Sequence, residues 1–146
     1  MKKMLMLVAV LALAGCSILP NRELSAAQTR WRDSQPSHYR YNLSVVCFCG
    51  FTQRMPLTIE VQDGLMRSIT FKDGTPVPAD QLQWFSRYST IDALFDFTKE
   101  TLRTADKINV EYDSTYGFPS KVQIDFYTDA VDDELALEVA NFQPLP

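Results

Sequence analysis

Cys47 and Cys49 stand two residues apart, a spacing that puts both thiols on one face of an extended chain. Alpha carbons so placed in a regular strand are about 6.6 to 6.8 Å apart, the upper edge of disulfide geometry. A bond between them therefore requires the strand to bend or bulge, with Gly50 absorbing part of the change. The alternatives are buried unpaired thiols, a redox pair and a soft-metal site. Zinc or copper(I) needs more ligands than two, and a redox pair here lacks the two-residue spacer of thioredoxin-like sites. A structural disulfide is the reading favoured by the oxidising compartment that export implies and by the even number of thiols left if Cys16 carries lipid.

The other chemistry-bearing residues are sparse. His38 is the sole histidine; no serine or cysteine nucleophile motif accompanies it, and it reads as a turn residue after Pro36. Asp129, Asp132, Asp133 and Glu134 lack the ligand spacing of a calcium loop and read as a solvated turn. Tyr112, Tyr116 and Phe118 surround a turn with Gly117 and Pro119, where they either form an aromatic interaction surface or cover the end of the core. No phosphate-cradling glycine loop occurs, so no catalytic residue, metal or cofactor is assigned.

The elements positioning these residues follow from periodicity. Leu24, Ala27 and Trp31 recur at helical spacing, with Ser25 and Gln28 as a possible capping box and Pro36 as a stop. Tyr39, Tyr41, Leu43, Val45, Cys47 and Cys49 then alternate with polar residues as a half-buried strand. Leu57, Ile59 and Val61 mark a second strand, and Asp63-Gly64 turns it into a third bearing Ile69 and Phe71. Ser89 or Thr90 caps a second helix with a stripe of Ile91, Leu94, Phe95, Thr98 and Leu102. Strands are expected at Lys107 to Asp113 and Lys121 to Thr128. Glu134 to Phe142 reads as a strand by Leu135, Leu137 and Val139, or as a helix by Leu135, Val139 and Phe142; the strand completes a second helix-plus-three-strand unit. The expected fold is α+β: a mostly antiparallel sheet of five or six strands packed against two helices, with possible tandem units.

The start of the chain carries a different signal. Met1-Lys2-Lys3 is basic, Met4 to Ala14 is apolar, and the run is too short for a permanent span, which needs about 20 residues. Leu13-Ala14-Gly15-Cys16 resembles the lipobox of bacterial lipoproteins, in which the leader is cut before the cysteine and the sulfur receives a diacylglycerol. That resemblance implies a signal peptide at residues 1–15, lipidation of Cys16, a tether at 16–23 and a single domain at 24–146. Two or more acyl chains make a lasting anchor, and Ser17 resembles the outer-membrane sorting class. With Lys2 and Lys3 removed, twelve basic residues face eighteen acidic ones, a net charge of −6. Such a balance disfavours nucleic acid and anionic headgroups as partners.

Several motifs together resemble the bacterial domain-of-unknown-function family 6174. They are Cys47-x-Cys49, Val61-x-Asp63-Gly64, Thr90-Ile91-Asp92-x-Leu94-Phe95, Val110-x-Tyr112-Asp113 and Tyr116-Gly117-Phe118-Pro119. The resemblance covers about residues 30–142 and implies a secreted or lipid-anchored protein without an established activity. The expectation is a non-enzymatic envelope lipoprotein, held by its acyl anchor at the periplasmic face of the outer membrane and binding an envelope protein or component. The alternative is a thiol redox protein or enzyme using Cys47 and Cys49.

Overall fold

A computed structural model describes residues 19–146, so Cys16 and the expected leader lie outside the described residues. The elements are α1 (Leu19–Ser34), β1 (His38–Val46), β2 (Leu57–Gln62), β3 (Leu65–Thr70), α2 (Ile91–Thr104), β4 (Lys107–Tyr112), β5 (Pro119–Asp125) and β6 (Leu135–Pro144). Alternation along β1 does what a period of two dictates. Tyr39, Tyr41, Leu43 and Val45 are buried, while Arg40, Asn42 and Ser44 line the opposite face. The same rule buries Leu57, Ile59 and Val61 on β2 and Leu137 and Val139 on β6. These side chains form one core with Trp31 of α1 and Ile91, Leu94 and Phe95 of α2. The fold is thus α+β, a six-stranded antiparallel sheet packed against two helices.

Strand order is β3-β2-β1-β6-β5-β4. The last segment is a strand because it has a partner on each side, β1 and β5, which satisfy its backbone groups as a lone helix end could not. Each half repeats the order helix, strand, strand, strand, but the first strand of one half meets the last strand of the other at the centre. The halves therefore repeat in element order and in being consecutive antiparallel meanders, β1-β2-β3 and β4-β5-β6, joined where β1 pairs with β6.

The start of α2 is fixed by a local cap. Thr90 Oγ1 accepts from the Ala93 amide at 3.1 Å and starts α2. The helix α1 begins at Leu19, earlier than expected, so Leu19–Glu23 of the expected tether are helical. Ser25 consequently sits inside the helix and donates to Asn21 O at 2.8 Å instead of opening a capping box. Periodicity also passed over Val77, Phe85 and Tyr88, which are buried. Their segment lies outside regular strands and helices longer than one 3₁₀ turn, where spacing carries no signal. Two buried phenols hold it down: Tyr41 Oη donates to Tyr88 O at 3.1 Å, and Tyr39 Oη accepts from the Ile91 amide at 3.3 Å. Burial pushes the Tyr39 phenol up to about 12.

Candidate functional site

The two ends of the sheet differ. One end holds His38, the Asp63-Gly64 hairpin and the β4–β5 turn; the other holds Cys47, the residues before β2, and the segment between β5 and β6. The latter, the cysteine end, carries most of the exposed chemistry.

There β1 parts from β2 after Leu43 and from β6 after Val46, which lies opposite Ala136. The cysteines lie in a bend, one of the two distortions expected, but it follows the end of β1 and is not within the strand as the alternation suggested. Cys47 and Cys49 are paired as a disulfide with alpha carbons 5.3 Å apart, inside the ordinary range. The Cys49 amide donates to Cys47 O at 2.8 Å, which closes a three-residue turn. Thr52 Oγ1 lies 3.0 Å from both the Cys47 and the Cys49 carbonyl oxygens and fastens the turn from below. Gly50 has open space where a Cβ would sit and no left-handed φ, so the expected role for it is not found. What the turn does is expose Phe48, which is 84 % accessible although it sits between two tied cysteines.

Concavities flank the turn. One, of about 630 Å³, lies on the uncovered sheet face between Val46, Phe48, Gln123, Asp132, Glu134 and Ala136. The other, of about 540 Å³, is bounded by Cys49, Phe51, Arg54, Gln81 and Trp84. In it Phe51 and Trp84 stack at 6.1 Å, while the Arg54 guanidinium lies 3.3 Å over the Phe71 ring and donates to Thr75 Oγ1 at 3.1 Å. Of these residues the sequence had singled out only the cysteines and the acidic Asp132 and Glu134, because an exposed Phe or Trp has no sequence signature apart from its neighbours in space.

Apart from Asp132 and Glu134 of the acidic segment, the other sequence-predicted residues are not assembled here. His38 is at the far end of the sheet, with Nε2 2.9 Å from Glu60 Oε1 and Nδ1 3.0 Å from Pro146 O. Both ring nitrogens are thereby occupied by structural partners, and the Glu60 hydrogen bond, followed by the Pro146 carbonyl, raises the pKa above the usual histidine value. Tyr112, Tyr116 and Phe118 do not form an open aromatic surface. Phe118 is 3 % accessible and packs edge-on to Trp31 at 6.2 Å, Tyr116 lies against Phe142 at 4.8 Å, and Tyr112 is partly buried. The reason is Gly117, which approaches α1 so closely that the turn becomes the floor under the helix. In the acidic segment, Asp133 Oδ2 accepts from the Tyr127 amide at 2.7 Å and holds the loop. Among the described residues no group of three or more metal-ligating side chains converges, and no helix is long and apolar enough to cross a membrane.

The family model described as "Family of unknown function (DUF6174)" matches residues 23–144. No curated protein and no solved structure matches the chain.

Proposed function

The chain belongs to the DUF6174 family, and on that premise we propose that it is a non-enzymatic, lipid-anchored envelope module that binds a protein partner through the cysteine end of its sheet. The observation that carries the reading is Phe48, fixed in solvent by a closed turn beside an apolar hollow. A rigid exposed aromatic is what interfaces use as an anchor, since little freedom remains to be lost on binding. The anchor part rests on the Leu13-Ala14-Gly15-Cys16 motif, and Ser17 supports the periplasmic face of the outer membrane.

Two measurements test the two parts separately. Cells fed an alkynyl fatty acid should label the protein, and Cys16→Ser should abolish the label; labelling that survives the substitution rejects the lipobox. A photo-crosslinking residue at position 48 should give a discrete adduct in intact envelopes, and one at the exposed Arg67 should not. Absence of a position-specific adduct rejects the cysteine end as the binding face.

Thiol exchange is the second reading, favoured by the placement of the pair in a surface turn. Joint replacement of Cys47 and Cys49 by alanine separates the two: a binding module keeps its position-48 adduct at reduced yield, whereas a redox protein loses its activity entirely.

A further inference from the structure

We propose that the hollow beside Phe48 takes a peptide segment of a partner protein in which a bulky apolar side chain adjoins a lysine or arginine. The inference rests on the proposed binding role of this end and names what the partner must present.

The floor comes from strand register. Val46, Ala136, Gln123 and Asn109 are directly paired across β1, β6, β5 and β4, so they form one row on the uncovered face. Ala136 is the smallest of the four and sits between longer neighbours, which leaves a dip along the central strand. Phe48 stands at one margin, 84 % accessible, and Val46 is 54 % accessible. A hollow of about 630 Å³ is within the usual size of a ligand site, about 300 to 1,000 Å³.

The rim supplies the charge rule. Asp125, Asp132 and Glu134 border the hollow together with one cation, Lys107. Lys107 Nζ is already 3.6 Å from Asp125 Oδ2, so two carboxylates remain to be matched by whatever binds. An occupant with an apolar body and a cationic neighbour fits both features. A second copy does not, because it would bring the same carboxylates, and the whole chain carries a net charge of −4. An anionic or zwitterionic lipid surface does not, because it offers no unmatched cation at the rim.

The test uses the full chain in zwitterionic nanodiscs, with empty nanodiscs as the control, and fluorescence anisotropy of three labelled hexapeptides. One has a central Phe flanked by lysines, one the same Phe flanked by glutamates, and one a serine in place of Phe between lysines. The Lys-Phe peptide should bind at least about tenfold more tightly than either control and weaken as salt rises. Ala136→Arg, which fills the dip with a like charge, should abolish the preference; Asp132→Asn with Glu134→Gln should bring the lysine and glutamate peptides together without altering the fold. Equal binding of the glutamate peptide, or a preference that survives both variants, overturns the proposal. If none of the peptides binds while position 48 still crosslinks in envelopes, this ligand class is rejected and the module reading stands.

Discussion

His38 shows what one residue can be asked to do at the end opposite the site. Its ring joins Glu60 of β2 to the carbonyl of Pro146, and both contacts favour the protonated form. The folded pKa thus lies above the unfolded value of about 6.5. Its contribution to stability is fully present below that value and is lost as pH rises through the folded pKa. NMR titration of the ring should give a midpoint above 6.5, and Glu60→Gln should move it down; a midpoint at or below 6.5 in the native chain would remove the linkage. A second residue is fixed by space. Gly117 has φ +85, and a Cβ there would meet Ala27 O at 2.5 Å. Gly117→Ala should therefore cost at least about 1 to 3 kcal/mol from the backbone alone, read from urea midpoints at unchanged slope. The sequence announced the cysteine pair and a distortion there, but not that β1 ends before it, because the strand stops where its neighbours stop. Val46 is the last residue with a partner, and nothing in residues 38–49 encodes where β2 and β6 end. Intact mass after alkylation without reductant should show neither Cys47 nor Cys49 modified; two added groups would leave them as free thiols.

Elements were legible wherever burial is one-sided. Tyr39 to Val45 alternate so strictly that β1 admits no other period, and Ile91, Leu94 and Phe95 do the same for α2. The last segment was ambiguous because Leu135 and Val139 satisfy both periods, and only lateral pairing with β1 and β5 decides it. Order among strands was not legible either, since two consecutive meanders can join through several edges. The helix α1 depends on one side chain more than on its own stripe. Trp31 is 1 % accessible, packs edge-on to Tyr39 at 5.4 Å and to Phe142 at 5.9 Å, and donates from Nε1 to Asp92 Oδ1 at 3.2 Å, tying α1 to the first turn of α2. Trp31→Ala should cost about 3 to 5 kcal/mol. Trp31→Phe should cost less, because it loses the hydrogen bond and part of the ring while keeping an aromatic in the cluster; equal losses would show that the retained ring contributes nothing without the indole and its hydrogen bond.

At the scale of the molecule, the proposed anchor at Cys16 would set which end can meet a partner. The helix α1 crosses the end of the sheet that holds the β4–β5 turn: Arg30 donates to Asp113 O at 3.4 Å, Gly117 lies under Ala27, and Glu23 is near enough to Tyr112 for its charge to act on that phenol. Only the short stretch from Cys16 to Leu19 separates a lipidated Cys16 from this helix, at most about 11 Å of chain. On the proposed lipidation, the helix start would lie close to the lipid surface. Phe48 follows β1, whose nine residues run away from that end for about 30 Å at 3.3 Å each. With Cys16 lipidated as proposed, the exposed Phe48 and Val46 and the carboxylates of the β5–β6 segment would be held away from the bilayer, where an apolar patch would be open to a partner. A fluorophore placed at the exposed Arg22 should be quenched strongly by spin-labelled headgroups in proteoliposomes, and one at position 48 should be quenched no more than free dye. Quenching at position 48 equal to that at Arg22 would lay the cysteine end on the lipid, and the exposed aromatic would then have to be reread as a membrane contact.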